Sequence, residues 1–334
     1  MVKKTMWAAI QDQRRAVPPL VTADLTGQTV VVVGANTGLG FGTAVHFARM
    51  NPGKLILACR NEEKGKAAVA KLRSETGFHN VELRLLDLSS FASVRAFSDS
   101  FQKDPRLDIL VANAAVAANK YQVTSDGWEE SIQVNDLSTS LLCLLLAPLM
   151  VSTGWTHKTN PRICIVTSDL HYFNKIDDKV FDAPNAWQML NSKEYCLTSK
   201  MTNRYPETKL LNVFFARSLA SLLSNTPVIV NTPNPGFCKS ELRRNMPAIE
   251  TTFARTTEEG SRQFVYAAVG GADNVDEMRG QYIDLHEVAE PTDFVLGEDG
   301  QRRQDKLWAD LVDELTKVDT RVADIVTQRA SSYI

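Results

Sequence analysis

The chain has 334 residues, 44% of them apolar, and a formal net charge of -2 at pH 7. This apolar fraction is ordinary for a soluble globular protein and supports a sizeable core, whereas the near-neutral charge argues against nucleic-acid partners or an anionic membrane surface. The length allows either two domains or a single α/β domain with appended ends.

The cysteines and the apolar runs indicate the compartment. The five cysteines are scattered and lack the paired spacing of a metal site or a disulfide framework, so we expect buried, reduced thiols and no metal. The residues after Lys4 form no apolar stretch long enough for a secretory signal. The longest apolar run, residues 141–151, is too short to span a bilayer. These features predict a cytoplasmic protein without a transmembrane segment.

Residues 1–25 are predicted to be an N-terminal extension. Pro18 and Pro19 separate this extension from the first strand of the domain. It is either frayed or packed on the domain.

The first strand, residues 29–33, is a β-branched apolar run that leads into a glycine-rich turn and then an apolar-periodic helix. Strand, glycine turn and helix form the context of a dinucleotide-binding site, because the glycines let backbone N–H groups approach a pyrophosphate at the helix N-terminus. The alternative is a glycine turn that binds no ligand. The turn supplies the candidate residues Gly34, Asn36, Thr37, Gly38 and Leu39.

The second strand, residues 54–59, is followed at once by Arg60 and then by a helix with Asn61 as its N-cap. No acidic residue stands at Ala58 or Cys59, where it would bind the ribose hydroxyls of NAD. A guanidinium suits a 2′-phosphate through its charge and its fork geometry. Arg60 therefore favours NADP(H), and the alternative is a solvated arginine.

The next two strands each end in candidate ligand contacts. The third, residues 81–86, runs into Asp87 and Leu88, where Asp87 either accepts a hydrogen bond from the adenine amino group or caps the following helix. The fourth, residues 107–111, leads to Asn113 and Ala114, and the small residues there let the backbone lie against a ligand.

A long helix is predicted at residues 128–151, with Asn135 as a polar residue that needs hydrogen-bond partners among apolar neighbours. The fifth strand, residues 162–166, ends near Ser168. A serine at the carboxyl end of a strand faces the crevice where open α/β sheets bind ligands.

An aromatic-rich insertion at about residues 170–203 follows Ser168. It contains too many aromatic residues for a plain linker. A wall or lid of a substrate pocket and a flap that only packs on the domain are equally compatible with it.

Tyr205 and Lys209 lie four residues apart and therefore share one face of a helix. A lysine ammonium beside a tyrosine hydroxyl favours the phenolate, which lowers the tyrosine pKa and makes the phenol usable for proton transfer. Pro206 is tolerated only in the first turn of a helix, so we expect the helix to start at about Asn203 or to be kinked there.

The rest of the chain completes the alternation of strands and helices. We predict a sixth strand at 228–230, a helix at 257–269, a seventh strand at 281–285 and a C-terminal helical extension at 291–334 with a helix around 305–317. The alternation predicts an α/β fold, with one Rossmann-type, doubly wound parallel sheet of about seven strands and helices on both faces, spanning residues 26–290.

The order of these motifs resembles the short-chain dehydrogenase/reductase family: a glycine turn after the first strand, a serine at the fifth, and Tyr-x-x-x-Lys on the next helix. The resemblance covers residues 26–285 and continues into the C-terminal tail. It looks closest to the retinol-dehydrogenase-like branch and to reductases of fungal secondary metabolism. Val33, Ala112, Ala115 and Thr167 depart from the usual family residues, but none removes a catalytic group.

The family's catalytic tetrad corresponds to Asn135, Ser168, Tyr205 and Lys209. The resemblance implies that Ser168 steadies the substrate carbonyl oxygen and that Tyr205 donates or removes its proton. Lys209 is implied to bind the nicotinamide ribose, and Asn135 to hold a water that links Lys209 to solvent. The implied cofactor positions are Gly34, Thr37, Gly38, Leu39, Arg60, Asp87, Leu88, Asn113, Pro235 and Ser240, completed by Asn36, Ala114, Gly236, Tyr205 and Lys209.

The sequence thus predicts an NADP(H)-dependent enzyme that interconverts a carbonyl and an alcohol on a lipophilic or aromatic, polyketide-like small molecule. Two other functions stay open: a cofactor-binding sensor that no longer catalyses, and a non-redox isomerase or cyclase. A homodimer also stays open, because an apolar helix such as 141–151 buries either a dimer face or the core.

Overall fold

One sheet runs through the molecule in the strand order of a doubly wound α/β fold. The computed structural model describes residues 4–197, 201–239, 242 and 253–327. Its strands are β1 (Thr29–Val33), β2 (Lys54–Cys59), β3 (Val81–Leu85), β4 (Ile109–Ala112), β5 (Arg162–Ile165), β6 (Ile229–Pro233), β7 (Gln281–Asp284) and β8 (Glu287–Ala289). They lie side by side in the order β3-β2-β1-β4-β5-β6-β7-β8.

The first seven strands are parallel, as predicted, and the eighth is a short antiparallel edge strand that the sequence analysis missed. Strands β7 and β8 are joined by Leu285 and His286, both with positive φ (49° and 63°). Two-residue hairpin turns of this kind favour Asn-Gly or similar pairs. Leu-His gives no such signal, so the hairpin was not predictable from the local sequence.

Helices cover both faces of the sheet, as predicted. They are α1 (Met6–Arg14), α2 (Gly38–Ala48), α3 (Glu62–Thr76), α4 (Phe91–Asp99), α5 (Glu130–Ile132), α6 (Ser138–His157), α7 (Asp178–Asp182), α8 (Ala186–Asn191), α9 (Arg204–Leu222), α10 (Thr257–Val269), α11 (Gly297–Val318) and α12 (Arg321–Thr327).

The alternation of side chains along β1 divides the core into two halves. Val31 and Val33 pack with apolar residues of α4, α6, α9 and α11 on one face. Val30 and Val32 pack with those of α2, α3 and α10 on the other. All five cysteines are buried, and no disulfide joins them.

The predicted helix at 128–151 differs from the observed one in its start, its end and its regularity. Helix α5 begins at Glu130, a π-helical turn follows at Gln133–Leu137, and α6 continues to His157. Within the described residues, Glu130–His157 is the stretch long and apolar enough to cross a membrane, but 78% of its most apolar window is buried inside the protein. That burial is typical of the core helix of a globular protein.

Helix α9 begins at Arg204 after the N-cap residue Asn203, which confirms the start predicted from Pro206. Pro206 therefore lies in the first turn, where its missing N–H breaks no intrahelical hydrogen bond. This start places Tyr205 beside the carboxyl end of the sheet.

The insertion and the C-terminal extension pack against each other. The backbone N–H of Ala186 donates to Asp310 Oδ2 (2.6 Å), and Trp187 Nε1 donates to the Leu307 carbonyl (2.9 Å). The C-terminal helix is longer than the predicted 305–317, since α11 spans Gly297–Val318 and α12 follows. The described residues of the insertion therefore pack on α11.

Candidate active site

A cavity of about 760 Å³ lies at the carboxyl ends of the parallel strands. The predicted Asn135 does not line it, and Ser240 falls outside the described residues. Every other predicted site residue lies on its wall: Gly34, Asn36, Thr37, Gly38, Leu39, Arg60, Asp87, Leu88, Asn113, Ala114, Ser168, Tyr205, Lys209, Pro235 and Gly236. The cavity therefore brings together residues that follow six strands, β1 to β6.

The glycine turn after β1 packs so closely on the β4 loop that no side chain fits. A Cβ placed on Gly34 would lie 2.9 Å from the Cβ of Ala114, and one on Gly40 would lie 2.4 Å from the carbonyl oxygen of Gly34. The side chain of Asn113 holds this contact, because its Nδ2 donates to the carbonyl of Val33 (2.9 Å). Asn113 thus fixes the shape of the turn.

Gly38 has a different environment at the N-terminus of α2. Its φ is 59°, and a Cβ built on it would meet nothing within 4 Å. The N-cap residue Thr37 makes no side-chain capping hydrogen bond to the first turn. Open space at the N-terminus of a helix suits an anion such as a pyrophosphate.

Two cations lie at the end of the cavity beside β2. Arg60 and Lys64 are exposed and line the wall together with Asn61, which caps α3 by accepting a hydrogen bond from the Lys64 backbone N–H (2.9 Å). The sequence analysis did not single out Lys64. Its position in the first turn of α3, four residues after Arg60, was the available signal.

Asp87 does not cap the following helix, an alternative that the sequence left open, because the N-cap of α4 is Ser90; Asp87 instead closes a local turn. Its Oδ1 accepts hydrogen bonds from the backbone N–H (2.9 Å) and the hydroxyl (2.7 Å) of Ser89. Asp87 also lines the cavity, so these two hydrogen bonds orient its carboxylate at the cavity wall. This position is compatible with a contact to an adenine.

Tyr205 and Lys209 occupy one face of α9, with Lys209 Nζ 5.5 Å from the centre of the Tyr205 ring. Lys209 is fixed to the end of β5: its Nζ donates to the Val166 carbonyl (2.9 Å), and its own carbonyl accepts from the Thr167 hydroxyl (2.7 Å). Burial lowers the pKa of Lys209 to about 8, against an opposing effect of Asp136. While it is charged, a lysine near a phenol favours the phenolate and so lowers the pKa of that phenol.

Ser168 reaches the cavity from the end of β5 and is held by a buried histidine that the sequence analysis did not identify. His171 Nδ1 lies 2.6 Å from the Ser168 carbonyl oxygen, and its Nε2 accepts from the backbone N–H of Thr292 (3.3 Å). These partners require the neutral ring with its proton on Nδ1. Burial lowers the pKa of His171 to about 4, which keeps the ring neutral.

Asn135 lies in the π-helical turn and bridges two elements. Its carboxamide pairs with both main-chain groups of Val116 (2.8 and 2.9 Å), and its Nδ2 also donates to the Thr208 hydroxyl (3.0 Å). That hydroxyl donates to the Tyr205 carbonyl (2.8 Å). Asn135 thus connects the Val116 loop to the first turn of α9, and its water-holding role stays a prediction.

The residue after Asn135, Asp136, was missed by the sequence analysis. It is 2% exposed, and burial raises its pKa well above the ordinary range, whereas Lys209 and Arg204 oppose the shift. The carboxamide of Asn212 is satisfied in the orientation that donates to Asp136 Oδ1 (3.1 Å) and accepts from Lys209 Nζ (3.3 Å). One amide therefore links this acid to Lys209.

A buried charge cluster surrounds the start of α9. Arg204 is 1% exposed and contacts Glu129 (3.2 Å) and Glu207 (2.5 Å), while the Tyr195 hydroxyl donates to Glu207. Arg204 also donates to the carbonyl of Leu190 (2.7 Å). These bonds tie the start of α9 to the insertion, although the described residues of 170–203 do not line the cavity.

The chain resembles known proteins in sequence over most of its length. A family described as short chain dehydrogenase matches residues 28–173. The short chain dehydrogenase/reductase dmxR8 of Cryptosporiopsis sp. (strain 8999) is 37% identical over 311 residues, covering 90% of this chain and 94% of the relative.

Solved structures share the fold. An uncharacterized protein from Mycobacterium paratuberculosis has a TM-score of 0.62 at 26% identity, over 92% of this chain and 98% of that chain. A protein described as a short chain dehydrogenase from Shigella flexneri, complexed with NADP, has a TM-score of 0.60 at 21% identity, over 79% and 99%. From the sequence relative and the shared fold together, the chain belongs to the short-chain dehydrogenase/reductase family.

Proposed function

We propose that this oxidoreductase uses NADP(H) to interconvert a carbonyl and an alcohol, with Tyr205 as the proton donor to the carbonyl oxygen. The observation that carries the proposal is the continuity of one cavity, which extends from Arg60 through the open turn at Gly38 to Ser168, Tyr205 and Lys209. Cations at one end suit a 2′-phosphate, and acid–base groups at the other suit a reacting carbonyl.

The residues present fit this cofactor. The turn at Gly34 and Gly40 excludes side chains, and the N-terminus of α2 at Gly38 is open to a pyrophosphate. The Shigella flexneri structure complexed with NADP has the same fold. NADPH, when bound, supplies the hydride for the reduction.

The chain's own residues supply orientation and the proton. The Ser168 hydroxyl at the end of β5 donates a hydrogen bond to the substrate carbonyl oxygen. Tyr205 transfers its phenolic proton to that oxygen as charge develops there, and the Lys209 ammonium stabilises the resulting phenolate. Reduction is the cellular direction in this proposal.

The substrate is proposed to be a lipophilic or aromatic small molecule, of the polyketide-like kind predicted from the sequence. The cavity wall combines polar groups with apolar residues that include Val116, Ala117, Val134, Cys238 and Leu242. Apolar walls around a few polar groups are typical of sites for such ligands. A cytoplasmic location and a homodimer stay predictions.

The direct test measures NADPH oxidation by the purified protein against a panel of lipophilic ketones and aldehydes, with identification of the products. Turnover to an alcohol supports the proposal. Tight NADPH binding without turnover of any carbonyl would favour the sensor, and product formation without net NADPH consumption would favour the isomerase or cyclase.

We expect Arg60→Ala to weaken NADPH selectively. A charge-assisted hydrogen bond contributes roughly 1.5–3 kcal/mol, so its loss should raise the KM for NADPH about tenfold to a hundredfold and barely change that for NADH. Steady-state kinetics with both cofactors measure the ratio. Lys66→Ala is the control, because Lys66 pairs with Glu62 (2.7 Å) and does not line the cavity. An effect seen in Lys64→Ala but not in Arg60→Ala would assign selectivity to Lys64 instead.

The pKa of Lys209 predicts the alkaline limit of the reaction. Lys209 loses its charge as the pH rises through about 8, so NADPH-dependent reduction should fall above that pH. The ionised form of Asp136 favours the charged lysine, whereas burial opposes that form by raising the pKa of Asp136. Asp136→Asn should therefore move the fall to lower pH, by an amount set by how much of the carboxylate is ionised near pH 8. The profile of kcat against pH measures the shift.

Asp108→Asn is the matched control for this pH profile, because Asp108 is a buried acid bound to Arg106 and the Thr29 backbone, away from the cavity. The other charged groups around Asp136 are Lys209, Arg204, Glu207 and Glu129, which both variants retain. Identical profiles for the wild type and Asp136→Asn would refute the electrostatic role of Asp136.

A further inference from the structure

The N-terminal extension, which the sequence left as either frayed or packed, makes a specific contact with the cavity wall. Gln13, on α1, pairs its side-chain amide with both main-chain groups of Phe237: Nε2 donates to the carbonyl (2.8 Å), and Oε1 accepts from the N–H (2.9 Å). The same Nε2 donates to the Phe253 carbonyl (3.0 Å). The Phe237 carbonyl also accepts from the backbone N–H of Arg255 (2.9 Å). The Gln13 amide adds a partner for each main-chain polar group of Phe237 and so helps to fix that residue's backbone.

A buried arginine joins the same extension to the turn just before Phe237. Arg255 is 6% exposed, its Nη1 donates to the Pro235 carbonyl (3.2 Å), and its Nη2 donates to the Asp12 carbonyl (3.0 Å). A Cβ on Gly236 would lie 2.3 Å from Arg255 Nη1 and 3.1 Å from Gln13 Oε1. The turn is therefore covered directly by these two side chains.

The other end of the extension is fastened to the sheet. Lys4 Nζ lies 2.9 Å from carboxylate oxygens of both Asp12 and Asp284, and Asp284 is the last residue of β7. The lysine side chain is largely covered, at 10% exposure. Contacts at both ends give α1 a defined position on the domain.

The covered turn belongs to the reacting end of the cavity. Pro235, Gly236 and Cys238 line the wall. The side-chain oxygen of Asn234 accepts from the backbone N–H groups of both Gly236 (3.0 Å) and Asp169 (3.2 Å), and Asp169 follows Ser168. The position of the turn is thus coupled to the loop that carries Ser168.

We propose that the N-terminal extension is part of the cofactor site, with Gln13 as a positioning residue that holds the Pro235–Cys238 turn, residues 235–238, in the shape that receives the cofactor's reacting end. This inference rests on the proposed function. Without Gln13 the Phe237 main chain loses two hydrogen bonds, and the turn has to be ordered when the cofactor binds, which weakens binding.

The test compares full-length Gln13→Ala with Gln11→Ala, which changes the same residue type on an exposed position of the same helix. We expect the Kd for NADPH, measured by calorimetry, to rise about tenfold in Gln13→Ala, equivalent to about 1.4 kcal/mol, and to stay unchanged in Gln11→Ala. Gln13→Glu keeps an acceptor for the Phe237 N–H but places a carboxylate oxygen against the carbonyls of Phe237 and Phe253, so it should weaken NADPH binding at least as much as Gln13→Ala. An unchanged Kd in Gln13→Ala, with wild-type binding intact, overturns the inference.

Hydrogen exchange at the Phe237 amide separates this inference from the proposed function. In the free protein, exchange there should be faster in Gln13→Ala than in the wild type or Gln11→Ala, because Gln13 Oε1 is the acceptor of that N–H. If the wild type binds no NADPH, the proposed function fails, and this exchange decides whether Gln13 holds the turn: unchanged protection at Phe237 then overturns that role.

Discussion

Tyr205→Phe should retain the fold and NADPH binding but lose carbonyl reduction by about a hundredfold or more, which is the usual scale for a removed general acid. The substitution deletes only the hydroxyl. Lys209 keeps its bonds to the Val166 carbonyl and to Thr167, so the nearby cavity wall is unchanged. The expected result is a loss in kcat with little change in the Kd for NADPH, measured by turnover kinetics and calorimetry.

Tyr266→Phe provides the matched control, because Tyr266 stacks on His286 and does not line the cavity. It should reduce the substrate at the wild-type rate. If Tyr205→Phe also turned over at a near wild-type rate, the proton would have to come from another group, and the assignment of Tyr205 would be wrong. If the wild type itself gave no turnover, the sensor would become the better interpretation.

The elements around the cavity were predictable because their signals are local. The strand at Thr29–Val33 and the helix at Thr257–Val269 have the predicted bounds, and the capping residues Asn61 and Thr256 lie directly before their helices. Pro206 set the start of α9 through steric rules that need no tertiary information. Most other strand ends match the predictions or differ by one or two residues, as is usual at element termini, whereas β6 continues to Pro233, three residues beyond the predicted 228–230.

The features that the sequence did not predict depend on residues far apart in the chain. Gln13 and Phe237 are 224 positions apart, and nothing near either residue indicates the pair. The π-helical turn that carries Asn135 has no propensity signal, because its extra residue is accommodated by tertiary packing. In the local sequence Asp136 is one polar residue among several. Only the fold brings it close enough to Lys209 for the Asn212 side chain to link the two.

Arg204→Met should destabilise the protein by about 3–5 kcal/mol, the range for removing one partner of a buried ion pair. Arg204 is the cation between two buried carboxylates, Glu129 (0% exposed) and Glu207 (5% exposed). Methionine fills a similar volume but leaves both carboxylates without their counter-charge. Urea unfolding at neutral pH measures the loss, with Arg217→Met as the control.

Arg217→Met differs from Arg204→Met because Arg217 has no carboxylate as its hydrogen-bond acceptor in the described contacts. Arg217 lies on the same helix, is partly buried, and donates to a neutral amide, Gln304 Oε1 (3.0 Å). Its replacement leaves no charge unpaired and should cost about 1 kcal/mol, the net contribution of a hydrogen bond. The difference between the two variants therefore isolates the unpaired carboxylates.

The double variant Arg204→Met/Glu207→Gln tests the cause of that loss. It removes one of the two carboxylates that Arg204→Met leaves unpaired. The remaining one, Glu129, still accepts hydrogen bonds from the backbone N–H groups of Ser131 (3.0 Å) and Ile132 (3.1 Å). We therefore expect the double variant to be more stable than Arg204→Met alone. Equal stability of Arg204→Met and Arg217→Met would contradict the prediction. It would mean that the cost of burying the three charges cancels their mutual attraction, as it does in some buried ion pairs.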